Sequence, residues 1–420
     1  VNVGSRIVAV GNTQYVEGDW ISLDGGTGDV YAGQVETREP DLDDPALATL
    51  LGWADDIRTL GVRANADEGS DATRARRLGA EGIGLCRTEH MFFGTDRLPV
   101  MQRMITASTA PERNAAVAEL LPFQRHDFAE LFRAMDGLPV VIRLLDPPLH
   151  EFLPSRDELQ LQIMDLQLRL RSAPDLETMN SLFAQLDEAT TLLAQVDSRR
   201  EANPMLGLRG VRLGMQYPEI TRIQARAIFE AVAEVAGEGI EAHPEVMVPL
   251  VCDAAELAAQ RAVIEAEAAS VMAERDIEVP VVIGTMIEVP RAALVAEEIA
   301  AFADFFSFGT NDLTQTTFGM SRDDAETSFL SEYLATGVFE ANPFATLDPK
   351  GVGKLVETAL TSGRTLTPDL VAGVCGEHGG DPASIALCHS YGLTYVSCSP
   401  FRVPVARLAA AHAALADRQH

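Results

Sequence analysis

Eight short apolar runs, separated by stretches with helical spacing, limit this chain to an α/β fold built on a parallel sheet. The runs are GVRANA (61–66), EGIGLC (81–86), PVVIRLL (139–145), EVMVPLV (245–251), VVIGTMI (281–287), FFSFG (305–309), LVAGVC (370–375) and LTYVSC (393–398). Helical patterns between them include Asp71–Leu78, Glu112–Met135, Pro218–Ala236, Ala254–Glu274 and Gly351–Ser362. Eight such units over roughly 350 residues predict a (β/α)8 TIM barrel, a fold that runs from about 200 to over 400 residues. An open doubly wound sheet is the alternative, but no GxGxxG turn supports it. The long gap after the third strand reads as a helical insertion. Within it Leu159–Val196, with Leu166, Leu168, Leu170, Leu182 and Leu186, has the spacing of an amphipathic hairpin.

Upstream the pattern changes. Residues 1–34 alternate like β-strands, with Ile7 to Val10 followed by EGDWISLDGGTGDVYAG (17–33) and its Gly-rich turn. So short a piece buries no core of its own, so it is expected to be the end of a larger domain. Residues 35–58 read as linker and helix, acidic and Pro-containing at 37–45 and helical from Pro45 to Leu60, which leaves 59–416 for the barrel. The formal charge of −29 argues against a nucleic-acid surface, since phosphates are repelled overall. No apolar run reaches membrane-spanning length. The five cysteines are odd in number and scattered without a CxxC pair, the pattern of reduced thiols in a cytoplasm. The only lysines are Lys350 and Lys354, so anionic substrates would have to be held by arginine, whose planar fork suits carboxylates and phosphates.

On a barrel the chemistry lies just beyond the strands, at their C-terminal ends. The fifth run leads to Glu288 and the sixth to GTND (309–312), so two consecutive strands each deliver a carboxylate to the same edge. Together Glu288 and Asp312 can share a hard cation such as Mg²⁺, although an isolated acid at either place would more often cap the adjacent helix. The other strand ends supply Asn65, Arg87, Arg143 with Asp146, Asn311, Cys375 and Ser399. Two arginines suit a phosphoryl group or carboxylate, two acids suit a metal, and a thiol can move a proton.

GIGLCRTEHMFF (82–93), VIRLLDPPLHEF (141–152), NPMLGLRG (203–210), GTMIEVPRAAL (284–294), FFSFGTNDLTQ (305–315), CGEHGGDP (375–382) and YVSCSPFRVPVARLAAA (395–411) closely resemble the C-terminal, phosphoenolpyruvate/pyruvate-binding region of the pyruvate, phosphate dikinase family. The resemblance covers essentially the whole chain and implies a set of roles. Glu288 and Asp312 would ligate Mg²⁺. Arg87, Arg143, Arg209 and the stretch Gly309, Thr310, Asn311 and Asp312 would bind phosphoenolpyruvate or pyruvate, Cys375 would be the proton donor, and Ser307 and Tyr395 would orient it. The implied partner is a swivelling phosphohistidine domain, of which residues 1–34 would be the last strands, and the implied assembly is a homodimer through the barrel. The family interconverts ATP, phosphate and pyruvate with AMP, diphosphate and phosphoenolpyruvate. None of the eight histidines lies in the Thr-Ser-His-Ala setting of the family's phosphohistidine, and no ATP-grasp-like region precedes the barrel, so the expectation is of a fragment holding one half-reaction's site. His90 and His378 lie within these motifs and read either as supports behind the substrate-contacting residues or as packing residues. Phosphoenolpyruvate synthase, an enzyme I of the sugar phosphotransferase system, and a barrel kept only for dimerisation are the alternatives.

Overall fold

The computed structural model describes residues 6–10, 13–24, 28–37, 44–107, 109–198 and 201–418. The chain divides into two compact units, Val1–Thr49 and Leu50–His420. In the first, β1 (Ile7–Val10) pairs antiparallel with β2 (Thr13–Val16), and β3 (Ile21–Leu23) with β4 (Val30–Ala32). Val10, Leu23 and Val30 stay exposed, as does Trp20, so these two-stranded pieces bury no core. Most of the acidic linker expected at 37–45 lies outside the described residues.

In the second unit, β5 (Gly61–Asn65), β6 (Ile83–Arg87), β7 (Pro139–Arg143), β8 (His243–Val248), β9 (Val282–Ile287), β10 (Phe305–Phe308), β11 (Val371–Val374) and β12 (Tyr395–Cys398) close into a barrel. Each strand lies beside its successor in sequence and all pairings are parallel, β12 returning to β5. All eight runs therefore fold as expected. Their near-continuous apolar character follows from burial on both faces, against the barrel interior and against the surrounding helices. Leu85, Val141, Met247, Met286, Phe305 and Cys375 pack inside the barrel. Nearer its other end Arg63 lies over the Tyr395 ring at 4.1 Å and pairs with Glu245 at 2.6 Å. Because the Tyr395 ring crosses the interior, Gly373 cannot carry a Cβ, which would overlap it.

The helices around the barrel start where their sequences say they should. Ala110–Ala134 and Ala254–Arg275 each open with a reciprocal capping box, Thr109 with Glu112 and Asp253 with Glu256. The insertion is a hairpin of Arg156–Arg171 and Leu176–Ser198, closed on Leu166, Leu182 and Ala189 with Leu170 and Leu186 partly buried. Leu168 is 56% exposed and does not join this core. Two positions from Leu166 on a helix, it faces the opposite side. After β9 come two short helices, Pro290–Leu294 and Ala296–Ala300, bent at Val295. The bend lets Ala292 and Ala293 of one piece and Ala296, Ile299 and Ala300 of the other all be buried. Between β11 and the helix after β10, an excursion over 319–351 carries two short helices, Arg322–Ser328 and Leu330–Ala335. Ala325, Leu330 and Phe344 give it a small core of its own.

Candidate active site

Because the barrel strands are parallel, their C-terminal ends meet at one rim, where the strand-end residues collect. Arg143, the last residue of β7, is buried and places Nη1 2.8 Å from Asp146 Oδ2, while Nη2 donates to Glu89 Oε1. Arg209 reaches the same Asp146 oxygen at 2.7 Å and Asp312 Oδ2 at 3.2 Å. Asp146 thus joins two arginines, and Arg209 joins two acids. Burial opposes the charge on both arginines, but the acids, led by Asp146, outweigh it and hold each guanidinium above its ordinary value. Burial likewise works against Asp146, yet Arg143 and Arg209 keep its carboxyl below the ordinary range.

Glu288 follows β9 and is 1% exposed. Its Oε1 accepts the Leu250 N–H at 2.6 Å, and Leu250 holds a left-handed φ of 61°, a strained conformation for a leucine. Glu288 therefore does not cap the helix beside it, whose N-cap is Val289 without a side-chain bond. Burial first, then Asp146 and Asp312, raises the Glu288 carboxyl well above its ordinary value, against the pull of Arg143 and Arg209. Gly210, with φ 56°, lets the Arg209 segment pass this point; its N–H donates to the Asp146 carbonyl at 2.8 Å, and a Cβ there would lie 2.7 Å from Leu250 Cβ. Gly309 meets Glu288 as closely, since a Cβ would lie 2.7 Å from Oε2. Thr310–Phe318 then forms a helix whose first-turn N–H groups lie outside its own ladder and beside these acids.

Cys375 follows β11 and is buried. Ser307 Oγ donates to its sulfur at 3.2 Å, Asn65 Nδ2 donates to its carbonyl at 3.1 Å, and Asn65 Oδ1 accepts from Ser397 Oγ at 2.6 Å. Burial pushes the thiol up; Ser307, Arg143 and Arg87 pull the other way and lose. The buried Tyr395 hydroxyl makes no hydrogen bond among the described residues, so of the two hydroxyls expected near the sulfur only Ser307 reaches it. Arg87 is tied through its backbone, its N–H donating to Asp67 Oδ1 at 2.6 Å. The other Asp67 oxygen meets His90 Nδ1 at 2.7 Å. That bond to Asp67 raises the His90 pKa against burial. Among the described residues no acid pairs with the Arg87 guanidinium. Ser399 is exposed and joins none of these bonds.

Sequence reasoning missed Glu89 and Asp67 and left His378 between a packing residue and a support of the site. The first two sit two residues beyond a strand's last residue, so an inventory that stops at the strand end does not reach them. His378 is fully buried, with Nδ1 2.7 Å from Thr310 Oγ1 and Nε2 2.9 Å from the Pro343 carbonyl oxygen. A cavity of about 700 Å³ is lined by Asn203, Pro204, Leu206, Gln315, Thr316 and Met320.

Among the described residues no three or more His, Cys, Asp or Glu side chains converge as a metal cage. Glu288 and Asp312 nevertheless fit Mg²⁺, which is commonly bound through one or two carboxylates while keeping water or substrate oxygens on its other positions. One Glu288 oxygen is held by Leu250 and, among the described residues, no hydrogen bond reaches the other. Like charge gathered around Glu288 also favours a cation there.

A family model described as PEP-utilising enzyme, PEP-binding domain, matches residues 44–415. Pyruvate, phosphate dikinase of Mesembryanthemum crystallinum is 52% identical over 98% of this chain and 42% of its own length. The Arabidopsis thaliana pyruvate, phosphate dikinase 1 is 50% identical over 99% of this chain and 41% of its own, and the Giardia intestinalis enzyme 48% over 100% and 45%. The chain therefore spans less than half the length of the curated relatives it matches. A citrate lyase from Burkholderia xenovorans matches 47% of this chain and 59% of its own at a TM-score of 0.31 and 18% identity, too slight a likeness to argue from. With a family model matched over 44–415 and relatives about half identical along nearly its entire length, the chain belongs to the phosphoenolpyruvate-utilising enzymes and carries their phosphoenolpyruvate-binding domain.

Proposed function

We propose that this chain is the catalytic barrel of a pyruvate, phosphate dikinase, carrying phosphoryl transfer between a phosphohistidine and pyruvate. The observation that carries the reading is the convergence, at one barrel rim, of Glu288 and Asp312 with Arg143, Arg209 and a thiol oriented by Ser307. The relatives' names support it, and the net reaction would be that of the family, ATP, phosphate and pyruvate giving AMP, diphosphate and phosphoenolpyruvate.

Each part of the rim has work to do in that reaction. Arg87, whose guanidinium has no acidic partner among the described residues, receives phosphoryl oxygens, and Arg143, clamped between Glu89 and Asp146, presents a fixed positive charge beside it. Gly309, Thr310, Asn311 and Asp312 offer the open first turn of a helix to the substrate's negative charge. Bound by Glu288 and Asp312, Mg²⁺ would supply Lewis-acid charge against the substrate's keto oxygen. Cys375 Sγ takes a methyl proton from pyruvate, the C–H pair becoming the new C=C bond, while the keto oxygen bonds to phosphorus and the phosphorus–nitrogen bond of the phosphohistidine breaks. In the opposite direction the thiol returns its proton to the methylene carbon. The raised thiol pKa keeps that proton in place at neutral pH, the loaded form of an acid.

The reading includes a swivelling phosphohistidine domain as partner and a homodimer through the barrel, both resting on the family resemblance. It also includes a reducing, cytoplasm-like compartment, supported by five unpaired cysteines, although the plant relatives are described as chloroplastic. Among the described residues no helix is long and apolar enough to cross a membrane. Calorimetry with oxalate, a planar mimic of the deprotonated pyruvate, tests the proposal. Asp312→Asn is expected to weaken Mg²⁺-dependent oxalate binding by about tenfold or more, roughly 1.4 kcal/mol. Unchanged affinity in the variant would remove Asp312 from the metal site and the reading with it.

A further inference from the structure

His378 is buried completely, yet both ring nitrogens are engaged by segments far apart in sequence. The Pro343 carbonyl can only accept, so Nε2 carries the hydrogen, and in the neutral ring Nδ1 is bare and accepts the Thr310 hydroxyl proton. The ring therefore joins three pieces: the loop after β11, the turn after β10, and the excursion over 319–351. Glycines allow the approach. A Cβ at Gly376 would fall well inside van der Waals distance of Thr310 Oγ1 and 3.1 Å from Asn311 Oδ1, and a Cβ at Gly379 would strike the Ser397 carbonyl. A second tie runs alongside, from Glu377 N–H to Asn311 Oδ1 at 3.3 Å.

The two arms of His378 are not equally important to their partners. The excursion has another anchor, the Leu347 N–H donating to Ser384 Oγ at 2.9 Å, with Ser384 itself bonded to Asp381. The buried Thr310 hydroxyl has His378 as its one hydrogen-bond partner among the described residues. Loss of the ring should therefore loosen the turn that carries Asn311 and Asp312 more than it loosens the excursion.

We infer that His378 is a positioning residue, holding Thr310 and through it the first turn of the helix at 310–318 in the orientation that binds substrate. The inference rests on the reading of Gly309 to Asp312 as the substrate-binding turn. It separates His378 from an ordinary core histidine, whose replacement would alter stability without singling out that turn.

Two amide substitutions split the arms. His378→Asn sets an amide oxygen near the Nδ1 position and can keep the Thr310 bond; His378→Gln sets an amide N–H near Nε2 and can keep the Pro343 bond. Oxalate binding with Mg²⁺, thermal melting, and hydrogen exchange of peptides from 309–318 and 338–347 are measured on the 420-residue chain and both variants. The expected result is a loss of about tenfold in oxalate affinity for His378→Gln, with rescue toward the parent value by His378→Asn, a size typical of residues that orient a site's contacting groups. Faster exchange in 309–318 should appear in His378→Gln and not in His378→Asn, whatever the two melting temperatures. Equal affinities for parent and His378→Gln, or affinity losses in both variants that simply follow melting temperature, would overturn the inference. A parent chain that fails to bind oxalate with Mg²⁺ would overturn the proposed function instead; exchange in 309–318, measured without ligand, would still decide for or against His378.

Discussion

Of the three arginines at the rim, Arg143 and Arg209 direct their donors at protein carboxylates, and Arg87 does not. Arg143 and Arg209 share Asp146, a buried acid. Removing it would leave two buried guanidiniums short of a counter-charge, so Asp146→Ala is expected to cost about 3–5 kcal/mol of stability, the usual size for a broken buried pair. Arg87 has no such pair to lose. Arg87→Ala should leave the denaturation midpoint within about 0.5 kcal/mol of the parent, as at other sites without buried partners. Phosphoenolpyruvate affinity should nevertheless fall about tenfold or more, because a phosphoryl group loses a bidentate donor. Titration of both ligands would check the division of labour: phosphoenolpyruvate affinity should drop further than oxalate affinity, since oxalate carries no phosphoryl group. A parallel drop in both, or none, would contradict it.

At the level of elements, the barrel strands were readable because each is apolar on both faces, as in Val140, Val141 and Ile142, all fully buried. The helices opened where capping boxes mark them, at Thr109 and Asp253. The excursion at 319–351 was not readable. Its helices, of 7 and 6 residues, are shorter than two turns, too brief for a 3.6-residue period to stand out, and their apolar residues pack on each other rather than on a long face. Close approach of elements is the other feature that pattern conceals, and Gly376 tests it. Its φ of −75° suits any residue, so alanine there would meet Thr310 Oγ1 without backbone strain. Gly376→Ala should therefore weaken Mg²⁺-dependent oxalate binding by about tenfold while the barrel still folds. Gly52→Ala is the control. Gly52 lies in the helix Pro45–Ile57 with open space where its Cβ would be, so alanine should stabilise by up to about 1 kcal/mol and leave binding alone. Denaturant melts and calorimetry on both variants distinguish a local clash from general damage, which would lower stability and affinity together.

For the whole molecule, a parallel barrel converts order along the chain into proximity at one rim, and that is why much of the candidate site could be read from sequence. Arg87, Arg143, Glu288 and Cys375 each end or follow a strand, and Asp312 lies four residues beyond β10, in the first turn of the next helix. The supporting partners were less visible because loops bring them in. Arg209 arrives from beyond the helical hairpin, and Glu89, Asp67 and His378 act through bonds that have no periodic trace in sequence. With a net charge of −29, the molecule as a whole repels anions, so substrate binding depends on this local cluster of guanidiniums. Whether the cluster is chemically active is decided by exchange of pyruvate's methyl protons with deuterated water in the presence of Mg²⁺, followed by proton NMR. Burial, against the pull of Ser307 and the arginines, raises the Cys375 pKa, so at neutral pH the thiol is mostly protonated and the fraction able to accept a methyl proton grows as pH rises toward that value. Exchange by the parent chain is therefore expected, increasing with pH through the neutral range, and Cys375→Ala should slow it by about 10²–10⁴-fold with oxalate binding intact. Equal exchange rates for parent and Cys375→Ala would contradict the assignment of Cys375 as the proton-transfer group.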